Sequence, residues 1–182
     1  ILDNSSCTFS NSTINNCSDV AIKSNNSNLT ILFTAIAAAN TAAVSLQNSN
    51  YKIDYATIAK NNGVGIEIDN LSNGSITNSI IAFNSNYGIS AAQLPNLFSF
   101  NNLFENTTAN YNLISDQTGI NDNISIEPYF IDSNTITSNL NNFRLAINSP
   151  LKYSSSDNIS LGAFRYSNAN NNVLNIFQTN IQ

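Results

Sequence analysis

The chain has 182 residues, 42% of them apolar, which is enough for one domain with a sizeable core. Charged residues make up only 9%, against roughly a quarter in ordinary globular proteins, and about one residue in five is asparagine. A net charge of −5 with six scattered Lys and Arg excludes a nucleic-acid partner, and no apolar run approaches the ~18 residues of a membrane span.

From the N-terminus, Cys7 and Cys17 lie within one stretch of the chain. They read either as a disulfide or as two small buried hydrophobes. Neither has a basic neighbour that would activate a thiolate. Sequons for N-glycosylation occur at Asn4, Asn11, Asn16, Asn25, Asn28, Asn70, Asn73, Asn106, Asn123 and Asn158, each a candidate acceptor. The chain contains no Met, so it is expected to be a mature product, a proteolytic fragment or an excised domain.

Residues 7 to 96 repeat with a period of 22 to 23. Ile14, Ile36, Ile58 and Ile81 align, as do Ile22, Val44, Ile66 and Ile89, and then Phe9, Ile31, Ile53 and Ile76. Polar positions keep step: Asn28, Asn50, Asn73 and Asn96 form one column, and Asn61, Asn84 and Asn106 another. Apolar and polar positions repeating together mark one small unit stacked several times. Each unit holds short alternating runs such as Gly65-Ile66-Glu67-Ile68-Asp69, separated by Asn, Ser and Gly, which is a strand pattern. No helical stripe and no regular Leu lattice is present. Three short strands and three turns in 22 to 23 residues predict an all-β, right-handed parallel β-helix of about 5–7 coils. The asparagine columns are then turn ladders, with amides bonding along the stack and the backbone left-handed.

The expected organisation is coils over 1–106, a loop excursion and C-terminal coil or cap over 107–164, and a tail or linker over 165–182. The tail carries an apolar patch at Val173–Phe177. Because the pattern is already under way at Ile1, further coils upstream or a partner chain seated on that end are expected.

The C-terminal section carries Glu127-Pro128-Tyr129-Phe130-Ile131-Asp132, Asn142-Phe143-Arg144-Leu145, Asn148-Ser149-Pro150 and Leu161-Gly162-Ala163-Phe164. In order and spacing this resembles the closing segment of secreted, pectate-lyase-like β-helix proteins of microbes, where it runs D-P-x-F-x-D, D-F-R-L, G-S-P and D-I-G-A-F. Glu127, Asn148 and Leu161 depart from that pattern. The resemblance implies a β-helix with a final cap, Asp132 and Arg144 being cap residues, on an extracellular or cell-surface protein. It implies no single activity, since the group includes polysaccharide lyases, glycoside hydrolases, adhesins and surface-layer components.

Lyases of this group use a Lys or Arg base beside acidic calcium ligands, and the columns supply a comparison. One outward ladder reads Lys23, Ser45, Glu67, Ser90. Lys23 and Glu67 are then about 10 Å apart. A second outward ladder reads Ala21, Ala43, Gly65, Gly88, small and flat. Glu67 and Asp69 are the best carboxylate pair, roughly 7 Å apart by strand geometry, within the ~6.5–9.5 Å span of inverting glycosidases. They could also offer two ligands to calcium, which takes about six to eight oxygens. Asp69 equally reads as a turn cap. Tyr51, Tyr55, Tyr87 and Phe83 form either an aromatic platform for sugars or core and rim positions. Without His there is no Ser-His-Asp arrangement and no His-based zinc site.

The expectation is therefore a non-catalytic extracellular structural or adhesive module of a larger surface or fibre protein, with no cofactor unless calcium. The alternatives are a carbohydrate-binding module, or a polysaccharide lyase or glycoside hydrolase with its site near Glu67 and Asp69. Expected partners are polysaccharide or other surface chains, or further copies through the β-helix ends.

Overall fold

The computed structural model describes residues 1–132 and 140–166. The patch at 173–177 lies outside them. The chain winds into a parallel β-solenoid with three sheets. The first sheet holds Leu2–Asp3, Ile22–Asn25, Ala42–Gln47, Val64–Ile68, Tyr87–Ala91 and Ala109–Asn112. The second holds Ser6–Ser10, Asn28–Leu32, Asn50–Asp54, Asn73–Thr77 and Leu97–Ser99. The third, of three-residue strands, holds Thr13–Asn15, Ala35–Ala37, Thr57–Ala59, Ile80–Ala82 and Asn102–Phe104.

Strand registers reproduce the aligned columns. Ile14 pairs with Ile36, Ile36 with Ile58, Ile58 with Ile81, and Ile81 with Leu103. Ile22, Val44, Ile66 and Ile89 pair in the first sheet, and Phe9, Ile31, Ile53, Ile76 and Phe98 in the second. From coil 2 onward these side chains are buried in one continuous core. Equivalent residues sit about 4.8 Å apart along the axis, so β-branched side chains stack on themselves.

The turns are tight and left-handed, two residues before Asn28 and Asn50 and one before Asn61, Asn84 and Asn106. Positive φ falls on Asn4, Asn26 and Asn48 between the first and second sheets. It falls on Asn11, Phe33, Tyr55, Asn78 and Phe100 between the second and third, and on Asn16, Ala38, Lys60, Phe83 and Glu105 between the third and first. Asn28, Asn50 and Asn73 instead open strands. A left-handed non-glycine residue costs roughly 1–2 kcal/mol. Stacking offsets part of this: the Phe33 and Tyr55 rings lie 4.8 Å apart and 13° from parallel, an arrangement worth about 0.5–1.5 kcal/mol.

Two expectations are corrected. Residues 107–123 are not a loop excursion: Ala109–Asn112 pairs in parallel with Tyr87–Ala91, and Asn102 bridges Ile124, so a further coil is built there. Among the described residues, the C-terminal section is a lateral cover rather than an end cap. It runs back along the outer face of the third sheet, where Phe130, Phe143, Leu145, Leu151, Leu161 and Ala163 pack on Ala35, Ala37, Ala59, Ile80 and Ala82. Arg165 places its guanidinium over the Phe33 ring in coil 2.

Candidate functional site

The outward column of the first sheet is as expected: Lys23 pairs with Ser45, Ser45 with Glu67, Glu67 with Ser90. Asn112 extends it by donating from Nδ2 to Ser90 Oγ at 3.0 Å. Lys23 and Glu67 are thus two coils apart on one face, both half-buried.

Asp69 is committed to its turn. Its Oδ1 accepts from Ser72 Oγ at 2.6 Å and from the Leu71 N–H at 3.1 Å, while Oδ2 accepts from the Asn48 N–H at 2.9 Å. Partial burial pushes its carboxyl up, and these donors outweigh that and hold it below the ordinary carboxylate range. Both oxygens are occupied, which leaves Glu67 as the less encumbered member of the pair. Among the described residues no three His, Cys, Asp or Glu side chains gather as a metal site.

The column Ala21, Ala43, Gly65, Gly88 does not face outward. Ala43, Gly65 and Gly88 are buried, because two successive residues turn inward where the third sheet meets the first. A methyl group at Gly65 would lie 2.4 Å from the Gly88 carbonyl oxygen and 3.0 Å from Asn84 Nδ2. At Gly88 it would meet Asn106 Nδ2 at 2.7 Å. The missing side chains make room for the asparagine ladder.

That ladder is fully interior. Asn61 Nδ2 donates to Asn84 Oδ1 at 2.8 Å, and Asn84 Nδ2 to Asn106 Oδ1 at 2.8 Å. Each Oδ1 also accepts the backbone N–H of the preceding coil, from Ala39, Asn61 and Asn84 in turn. Two further ladders occupy the other corners. Ser27, Ser49 and Ser72 Oγ accept the N–H of Ser5, Ser27 and Ser49. Ser79 Oγ, Asn101 Oδ1 and Asn123 Oδ1 accept those of Ala56, Ser79 and Asn101. Part of their sequence signal is a Ser or Asn two residues after a strand, as at Ser27, Ser49, Ser79 and Asn101.

The aromatic residues are mostly structural. Tyr51 and Tyr55 are buried, and burial raises both hydroxyls. Phe83 packs on Phe104 and Phe130, and Tyr87 is half-buried. Cys7 and Cys17 are free thiols. Cys7 lies in a strand of the second sheet, and Cys17 follows the third-sheet strand with Sγ turned to the Asn15 carbonyl; both are half-buried. Asp132 and Arg144 lie on facing segments, where the Ile131 N–H donates to the Arg144 carbonyl and the Asp132 N–H to that of Asn142.

Of the sequon asparagines, Asn4, Asn11, Asn16, Asn28, Asn70, Asn73 and Asn158 are exposed and Asn25 is half-buried. Asn106 and Asn123 are interior ladder members, so their amides are closed to modification in the folded chain. A groove unforeseen from sequence lies on the second sheet: about 430 Å³, lined by Asn28, Thr30, Asn50, Lys52, Asn73 and Asn96.

A family model described as a right handed beta helix region matches residues 1–124. No curated protein matches the chain.

Proposed function

The chain belongs to the family of right-handed β-helix regions, and from that premise we propose that it is a non-catalytic, extracellular structural or adhesive module of a larger surface or fibre assembly. One contrast carries this reading. Leu2, Phe9 and Ile14 of coil 1 are half-buried, whereas Leu46, Ile31 and Ile36, in the same columns of later coils, are fully buried. The strands Leu2–Asp3, Ser6–Ser10 and Thr13–Asn15 each pair on one side only. Unpaired strand edges around half-exposed apolar columns are a surface that takes another strand edge. In this reading the coil-1 rim meets further β-helix coils, either upstream in a longer protein or of a second chain, and the sparsely charged faces of the first and second sheets are its lateral surfaces. The exposed sequons support an extracellular setting. Sedimentation velocity across a concentration series tests the reading. It expects association in the wild-type chain and loss of association in Ile14→Lys; a wild-type chain monomeric throughout overturns it.

The groove on the second sheet favours a second reading, carbohydrate binding. Its amides, hydroxyls and one ammonium recur at about 4.8 Å along the stack, offering a linear sugar chain repeated donors and acceptors. Titration against a polysaccharide panel, with Asn50→Ala and Lys52→Ala as controls, separates it from the first. A lyase or hydrolase reading would rest on Glu67, and turnover abolished in a folded Glu67→Gln variant would be required to sustain it.

A further inference from the structure

Two Asn-Gly pairs occur in the chain, Asn62-Gly63 and Asn73-Gly74, and the fold treats them differently. Asn62 is exposed at the corner between Thr57–Ala59 and Val64–Ile68. Its N–H donates to the Ala39 carbonyl at 2.8 Å, and the Val64 N–H to the Thr41 carbonyl at 3.0 Å. The Gly63 N–H between them has no partner among the described residues. The Asn62 side chain is loosely held, with Nδ2 at 3.4 Å from Asn40 Oδ1. Asn73 and Gly74, by contrast, are the first two residues of a strand, in register with Asn50 and Tyr51. A strand fixes the extended backbone, which keeps the glycine nitrogen away from the side-chain carbonyl carbon.

We propose that Asn62 is a site of spontaneous deamidation in the folded protein and that Asn73 is protected. The Gly63 backbone nitrogen loses its proton and attacks Asn62 Cγ. A C–N bond forms, the Cγ–Nδ2 bond breaks, and the amide nitrogen leaves as ammonia. Water then opens the five-membered imide at either carbonyl, giving aspartate or β-linked isoaspartate at 62; nothing is oxidised or reduced. Glycine is required at 63 for reasons of the fold, because a Cβ there would sit 1.7 Å from the Thr41 carbonyl oxygen. The same absence of a side chain leaves its nitrogen unhindered. The isoaspartate product adds a methylene to the main chain beside that close contact, so it loosens the corner between coils 3 and 4. Either product places a carboxylate opposite Asn40 Oδ1, where an amide donor stood.

The test is prolonged incubation of the full chain in mildly alkaline buffer, followed by isoelectric focusing and peptide mapping that separates isoaspartyl from aspartyl peptides. The wild type and Asn73→Ser are expected to gain one acidic species, with the peptide containing residue 62 split into two products. Asn62→Ser is expected to gain none, and urea-unfolded wild type should convert at both pairs. Equal conversion of Asn73 and Asn62 in the folded chain, or an unchanged residue 62, overturns the proposal.

Discussion

Asn84 holds Asn61 by two contacts through one atom: its Oδ1 accepts from Asn61 Nδ2 at 2.8 Å and from the Asn61 backbone N–H at 3.1 Å. Its own Nδ2 donates to the Ile58 carbonyl at 3.2 Å. Neither residue has any exposed surface. The pair replaces, inside the core, the hydrogen bonds that water would make to a turn.

Replacing Asn84 by Ala removes the acceptor of the Asn61 N–H and the side-chain donor to the Ile58 carbonyl, and leaves the Asn61 amide only its 3.4 Å bond to the Ile36 carbonyl. The expected loss is about 3 kcal/mol, on a scale of ~1–3 kcal/mol for each buried group left unpaired. Asn50→Ala, which removes the exposed bond from Asn50 Nδ2 to Asn28 Oδ1, should cost under ~1 kcal/mol. Urea unfolding midpoints of the two variants measure the difference.

Asp69 gives the stack an acid-sensitive turn. The folded carboxyl ionises at lower pH than the unfolded one, so its stabilisation is complete above the ordinary Asp value near ~4 and is lost as pH falls through the folded pKa. The stability gap between wild type and Asp69→Asn should be widest at neutral pH and close in acid. Urea midpoints at several pH values read it directly, and a gap independent of pH would contradict the hydrogen-bonded assignment.

Gly162 of the C-terminal strap lies close against the third sheet. It has φ of +83°, and an added Cβ would meet Thr57 Oγ1 at 2.5 Å. Its neighbour Ala163 donates its N–H to that same Thr57 Oγ1. Gly162→Ala should lift this end of the strap, at a cost of ~1–3 kcal/mol from the backbone alone. Limited proteolysis should then cut between 150 and 166 while the coils stay resistant.

The stack was legible in the sequence because a parallel solenoid places identical columns in identical environments, so Ile14, Ile36, Ile58 and Ile81 could be aligned by spacing alone. The side of the stack was harder to read. Alternation assigns Ala43, Gly65 and Gly88 to the outside, but at that corner two successive residues point inward to admit the asparagine ladder. The coil after residue 106 was hidden because a turn, closed by the Gly119 N–H on the Asn123 carbonyl, stands in place of a second-sheet strand. The strap did leave a signal: Thr13 and Asn15 flank Ile14, whereas Ala, Thr and Ile flank Ile36, Ile58 and Ile81. Outward residues that lose their polarity after coil 1 mark the face that the C-terminal section covers. The sequence offers Glu67 and Asp69 as a pair, but only hydrogen-bond geometry shows that Asp69 serves its own turn.

Backbone hydrogen exchange at coil 1 tests the central proposal most directly. If the rim is the surface that meets a second chain, amides of Ser6–Ser10 and Thr13–Asn15 should gain protection as protein concentration rises, while those of Thr57–Ala59 and Val64–Ile68 stay constant. Exchange in coil 1 that is fast and independent of concentration would contradict the account.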